Sequence, residues 1–217
     1  MLKQEILETI KREKLIVIVR GVSTEKLFPL CEALYAGGVR LVECTFDMKG
    51  KETVAKTAKK IEDLGRAFEG RMLIGAGTVM TEEQSEAAYR AGAKYLISPH
   101  TDETIIAYAN EHGMASIPGA MTPTEIVRAY RAGADFVKVF PNDIMGLAYL
   151  KSIRAPLSAI PMLAVGGVNA ENVGDYLAAG VDGVGVGSGL VKKQWIEEGN
   201  WGAITAQARE MTDAIRA

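Results

Sequence analysis

Eight short apolar or β-branched runs punctuate the chain, at Leu15–Val19, Leu41–Cys44, Met72–Ile74, Tyr95–Ile97, Ala115–Ile117, Phe136–Val139, Met162–Val165 and Val184–Val186. Segments with helical spacing separate them, and the runs start about every 20–30 residues, the rhythm of consecutive βα units. Strands joined through helices lie parallel, buried on both faces, which is why these runs are nearly continuously apolar. Eight units, with no long strand-free insertion and no Gly-x-Gly-x-x-Gly after the first strand, predict an α/β fold of the (β/α)8 TIM-barrel type over an open doubly wound sheet. A chain of 217 residues with 48% hydrophobic content suits one domain, 1–217. Residues 1–14 read as an N-terminal helix, 15–191 as the barrel and 192–217 as a C-terminal helical segment.

Local punctuation agrees with this division. Leu34–Val39, Tyr89–Ala93, Tyr130–Ala134 and Tyr176–Val181 echo one another, each ending a helix on glycine just before a strand, where a left-handed residue turns the chain. Their recurrence before alternate strands marks repeated two-strand units. Thr122-Pro123-Thr124-Glu125 combines an N-cap hydroxyl, proline in the first turn and a capping-box glutamate. Leu2, Ile6 and Ile10 stand at helical spacing and predict a segment that plugs or flanks the bottom of the barrel. Ile204–Ile215 reads as an outer helix, with Trp195 and Trp201 anchoring it or serving a subunit contact.

Charge and cysteine usage exclude several function classes. With 25 Lys+Arg against 27 Asp+Glu, nothing calls for a nucleic acid or an anionic membrane as partner, so an anion site must be local. Cys31 and Cys44 are too few for a disulfide framework and read as reduced core residues. The N-terminus mixes charges without an apolar signal core, and no run reaches the length of a membrane span. The expected setting is cytoplasmic. No cluster of His, Cys or carboxylates has ligand spacing at one strand end, so no metal is expected.

In a (β/α)8 barrel the chemistry sits at the C-terminal strand ends. Lys138 lies inside Phe136-Val137-Lys138-Val139-Phe140, where burial would strip hydration from its ammonium, lower its pKa and free an amine able to form a Schiff base with a ketone. The alternative is a lysine whose stem packs on the core while its ammonium snorkels to water. Alternation puts Leu41, Glu43 and Thr45 on one face and Phe136, Lys138 and Phe140 on one face. If both faces point inward, Glu43 shares a cavity with Lys138, either as an acid/base for imine chemistry or as a simple ion-pair partner. Arg20 at the first strand end could grip a carboxylate or pair with an acidic neighbour. Gly166-Gly167 and Gly185–Gly189, after strands seven and eight, occupy the usual phosphate position of such barrels, with Ser188 adding a hydroxyl; the alternative is tight barrel turns. His100 could reach the rim, whereas His112 reads as a helix C-terminal residue without a catalytic role.

Taken together, Glu43-Cys44-Thr45, Gly75-Ala76-Gly77-Thr78-Val79, Ser98-Pro99, Pro118-Gly119 with Thr122–Glu125, Lys138-Val139-Phe140-Pro141 and Gly166-Gly167-Val168 resemble the 2-keto-3-deoxy-6-phosphogluconate aldolase family, from about Leu15 to Val191. The resemblance implies a class I aldolase without a cofactor, usually homotrimeric. It would cleave a phosphorylated 2-keto-3-deoxy sugar acid to pyruvate and glyceraldehyde 3-phosphate, with 4-hydroxy-2-oxoglutarate as a further substrate of some members. It further implies that Lys138 forms the imine and Glu43 moves protons. Arg20 and Thr78 would hold the pyruvyl carboxylate, Pro99 and Phe140 would shape the pocket, and Gly166, Gly167, Gly187 and Ser188 would receive phosphate. Thr45, Asp47 and His100 are candidates for specificity. Asp47 stands where many members carry Arg, Asn or Thr; it could bond substrate hydroxyls, repel an anion or pair with Arg20. A galactonate-type or unphosphorylated acid, a non-covalent phosphate-binding barrel enzyme and a silent sugar-phosphate binder are the alternatives.

Overall fold

The computed structural model describes residues 1–217. Strands β1 (Leu15–Val19), β2 (Leu41–Thr45), β3 (Leu73–Gly77), β4 (Tyr95–Ile97), β5 (Ala115–Ile117), β6 (Gly119–Ala120), β7 (Val137–Val139), β8 (Met162–Val165) and β9 (Gly183–Val186) make one parallel sheet in the order β5-β4-β3-β2-β1-β9-β8-β7-β6. Ten helices accompany them: α1 (Lys3–Glu13), α2 (Thr24–Ala36), α3 (Val54–Ala67), α4 (Glu82–Arg90), α5 (Glu103–Glu111), α6 (Pro123–Arg131), α7 (Asn142–Arg154), α8 (Val173–Ala178), α9 (Lys193–Glu198) and α10 (Trp201–Arg216). The barrel expected from the alternation is the fold observed.

Its ninth strand adds no βα unit. The fifth predicted run is continued past Pro118, which lacks an N–H, and the break divides it into β5, paired with β4, and β6, paired with β7. The Lys138 N–H donates to the Pro118 carbonyl at 2.9 Å, so this broken strand brings the sheet round to near closure. The third strand starts one residue later than expected and runs on through Gly75-Ala76-Gly77, since ladder pairing with β2 overrides the weak strand preference of glycine.

Strand alternation sorts the core into two layers. Val17, Val42, Ile74, Leu96, Val137, Ala164 and Val184 point outward under the helices, while Ile16, Leu41, Leu73, Tyr95, Ile117, Phe136 and Leu163 fill the barrel. Ile6 and Ile10 of α1 join that inner layer from below, each adding about 1.5–3 kcal/mol by burial. Lys3 fastens the helix through a 2.8 Å ion pair with Asp135. Leu2, expected on the same buried stripe, is instead exposed at the N-cap, beyond the packed face.

The punctuation holds in detail. Gly38, Gly92, Gly133 and Gly180 have φ between +82° and +97°, the left-handed turn expected before their strands. Thr122 and Glu125 form a reciprocal capping box, and His112 is the C-cap of α5. The C-terminal segment is two helices parted at Gly199, and α10 lies along α2, with the Thr212 hydroxyl donating to the Gly37 carbonyl at 2.8 Å. Trp195 and Trp201 pack half-buried against the outer layer. No helix is long and apolar enough to cross a membrane.

Candidate active site

Register places the polar strand ends on one rim. Glu43 pairs with Ile18 on one side and Gly75 on the other, and Lys138 stands between Gly119 and Leu163. Both side chains point inward, into a small cavity walled by Ile16, Ile18, Ile97, Ile117, Leu163 and Val165. Lys138 is 7% exposed, so its ammonium does not snorkel, and Glu43 is 1% exposed. No ion pair joins them, since no Glu43 oxygen comes within 4.0 Å of the Lys138 nitrogen, and Glu43 Oε2 is buried without a hydrogen-bond partner. The simple ion pair weighed from sequence is therefore not what the fold builds.

Burial acts on both groups in the direction of the neutral form. It lowers the Lys138 pKa below the ordinary lysine value, with the Glu43 carboxylate opposing and the Arg20 cation assisting. Burial likewise raises the Glu43 pKa above the usual carboxylate range, against the pull of Lys138 and Arg20. The Phe140 ring lies 4.7 Å from the Lys138 nitrogen and forms part of the entrance, being 37% exposed. Space for the Glu43 carboxyl comes from Gly77: a Cβ there would stand 2.6 Å from Glu43 Cδ. Gly75 similarly leaves room for the Tyr95 ring, whose hydroxyl donates to the Val42 carbonyl at 2.8 Å.

Beside this cavity a hollow of about 460 Å³ opens over β1 to β3, lined by Arg20, Thr45, Asp47 and Thr78 among others. Arg20 donates to the Thr78 hydroxyl at 3.3 Å and forms no ion pair, so the acidic-neighbour alternative fails for want of a partner in reach. Thr78 holds φ at +57°, a left-handed conformation costly for a β-branched residue, and it turns the chain directly at the end of β3. Asp47 does not pair with Arg20. Its carboxylate accepts from the backbone N–H groups of Lys49, Lys51 and Glu52, which holds its pKa below the ordinary range and shapes the loop after β2.

Across the rim, Gly166 and Gly167 take φ of +108° and +71° after β8, while Gly187 opens a turn whose carbonyl accepts from Leu190 and Val191. The two loops touch, since a Cβ on Gly189 would lie 3.3 Å from the Val168 carbonyl. The N–H groups of Gly166, Gly167, Gly187 and Ser188 donate to no acceptor in the protein, and Ser188 is exposed. A Cβ on Gly166 would stand 2.9 Å from Asp143 Oδ1, which sets a carboxylate next to the Gly166–Gly167 turn.

Pro99 and His100 follow β4. The Pro99 backbone packs where a side chain on Gly119 would be, while the His100 imidazole lies 3.8 Å from Asp102, the N-cap of α5, and does not line the cavity. Sequence reasoning missed Lys60, a buried lysine of α3 that donates to Glu52 and to the Val22 carbonyl. Its signal was present: Lys60 falls in the stripe Thr57, Ile61, Leu64 that α3 turns inward.

A parallel barrel that shelters an unpaired amine and a carboxyl, each pushed by burial toward its neutral form, at one mouth is equipped for carbonyl chemistry through a lysine imine. The KDPG and KHG aldolase family matches residues 6–207, and the chain belongs to it. It is 32% identical over 212 residues to the 2-dehydro-3-deoxy-phosphogluconate aldolase of Treponema pallidum, covering 97% of each chain. It is 35% identical over 179 residues to the 2-dehydro-3-deoxy-6-phosphogalactonate aldolase of Escherichia coli K12, covering 82% of this chain and 84% of that one. Among solved structures, the KDPG aldolase of Legionella pneumophila, captured with pyruvate as a covalent carbinolamine, superposes with a TM-score of 0.83 at 29% identity, covering 94% of this chain and 97% of that one.

Proposed function

We propose that this chain is a class I aldolase that reversibly cleaves 2-keto-3-deoxy-6-phosphogluconate to pyruvate and glyceraldehyde 3-phosphate through an imine on Lys138, without a metal or cofactor. The observation that carries the reading is the unpaired Lys138 and Glu43 in one apolar cavity, each pushed by burial toward its neutral form. The free amine attacks the C2 ketone and its nitrogen passes one proton to the resulting oxygen; Glu43 supplies the second, so that water leaves and the iminium forms. Glu43, now ionised, removes the C4 hydroxyl proton. The C3–C4 bond breaks, its electron pair passes into the enamine, and the aldehyde departs. Protonation at C3 and addition of water to the iminium return pyruvate and the amine.

Arg20 and Thr78, already joined by a hydrogen bond, are assigned to the pyruvyl carboxylate. Thr45 lines the same hollow. Pro99 and Phe140 shape the entrance. The unengaged amides of Gly166, Gly167, Gly187 and Ser188, together with the Ser188 hydroxyl, are assigned to the phosphate. Asp47 acts on specificity through the loop that its carboxylate shapes, and His100 through the rim.

The test is incubation with pyruvate and borohydride, which should leave a stable mass increment on the Lys138 peptide. An unmodified peptide, under conditions that label a known class I aldolase, would defeat the covalent reading. A second reading, an unphosphorylated 2-oxo acid, is favoured by the Asp143 carboxylate beside the glycine turn, since like charges repel. Ser188→Ala should raise KM for the phosphorylated acid by about 10–150-fold, the worth of one hydrogen bond to a charged group. Equal changes for phosphorylated and unphosphorylated acids would favour the second reading. A cytoplasmic homotrimer is the proposed state, checked by sedimentation.

A further inference from the structure

Lys60 is a charged residue where an apolar one would be cheaper. It sits on the inward stripe of α3, 6% exposed, and its ammonium makes three bonds: 2.8 Å to the Val22 carbonyl, and 2.7 and 2.8 Å to the two carboxylate oxygens of Glu52. Burying such a pair costs several kcal/mol per ion before the bonds repay it, so its net stabilisation is small and a structural role alone accounts for it poorly.

What the ammonium joins is informative. Val22 is two residues past Arg20, in the loop leaving β1, and Glu52 ends the loop leaving β2, where its N–H donates to Asp47 at 3.0 Å. Arg20, Thr45 and Asp47 line the hollow between these loops, together with Glu52 itself. The segment that carries the guanidinium is anchored by Val19 and Val22, both buried in the core. The Arg20 side chain has only one hydrogen bond of its own, to Thr78, and Gly21 has φ of +66°, so the tie at the Val22 carbonyl bears on where the guanidinium sits.

We infer that Lys60 is a positioning residue for the carboxylate end of the substrate: a buried tie that holds the Arg20 loop and the Asp47–Glu52 loop at a fixed separation. It touches neither substrate nor reacting atoms. It acts through Arg20, and the inference rests on the aldolase reading.

The readout is the pyruvate concentration that half-saturates borohydride trapping on Lys138. Lys60→Met should raise it about tenfold to 10²-fold, the size of effect that a displacement near 1 Å produces, with the limiting trapping rate within about threefold of the original. In an Arg20→Met background the same substitution should add less than about twofold, because residues that act through one contact are not additive. Half-saturation unchanged in Lys60→Met, a lower limiting rate alone, or full additivity with Arg20→Met would each overturn the inference. Glu52→Gln, which keeps an acceptor for Lys60 and is gentler on folding, should shift half-saturation in the same direction, and no shift there would count equally against it. An unlabelled wild-type protein would bring down the aldolase reading and this inference together, whereas a labelled one with an insensitive Lys60→Met removes this inference alone.

Discussion

Lys138→Met should abolish the pyruvate adduct and reduce cleavage to background, a loss of more than about 10⁴-fold, because the covalent iminium is the only electron sink the mechanism holds. The same substitution should make the protein more stable near neutral pH, by about 1–3 kcal/mol, since it removes a buried amine that has no hydrogen-bond partner in the barrel and keeps the apolar stem. The pH dependence has a definite sign. The native lysine titrates below its ordinary value of 10.5, so between the two values the unfolded chain binds more protons than the folded one. Wild-type stability therefore rises with pH across that window, and the advantage of Lys138→Met is greatest below it and shrinks as pH climbs through it. Chemical denaturation at several pH values measures this gap. Trapping with pyruvate should likewise rise with pH along a limb lying below the ordinary lysine range, because the attacking species is the free amine.

Glu43→Gln should separate the two halves of the chemistry. An adduct should still form slowly, because Lys138 and its apolar walls are untouched, while turnover falls by about 10²–10⁴-fold, the usual contribution of a positioned acid/base. Gln keeps the volume that Gly77 leaves for the carboxyl but cannot exchange a proton. Single-turnover rates for imine formation and for cleavage, compared between wild type and variant, would show which steps lose the relay. A fully active Glu43→Gln would refute the assignment. Stability again carries a sign: burial raises the native carboxyl above 4.5, so the folded state retains a proton that the unfolded state releases, and wild-type stability falls as pH rises through that interval. The variant should be the more stable protein at neutral pH and lose that advantage under acid.

The sequence was most readable where a requirement is local or periodic. Lysine inside Phe136–Phe140 is conspicuous because one residue contradicts the surrounding pattern, and strand alternation alone was enough to aim Glu43 and Lys138 into the same space. The Thr122–Glu125 box was equally plain, since capping is decided within one turn. Pro118 hid its consequence, because whether a proline ends a strand or splits it between two neighbours depends on the partners available on either side. Asp47 was out of reach for a related reason: its carboxylate could have met substrate or Arg20, and only the path of residues 47–52 turns it onto backbone amides. Lys60 shares the inward stripe of α3, which the spacing of Ile61 and Leu64 marks, but its partners at Val22 and Glu52 come from other loops, and only their placement shows what the ammonium joins.

Helix α1 closes the far end of the barrel with Ile6 and Ile10, and this leaves reactants a single door. Under the imine mechanism the three-carbon fragment remains tethered at the inner end, with the aldehyde between it and the exit. Departure is then compulsorily sequential: the aldehyde leaves first, and pyruvate follows only after water has reached the bond that retains it. Under that same mechanism a stoppered vessel of this kind would let one aldehyde be exchanged for another while the enamine waits behind it, so the floor of the barrel would set the order of departure as much as the chemistry at the rim.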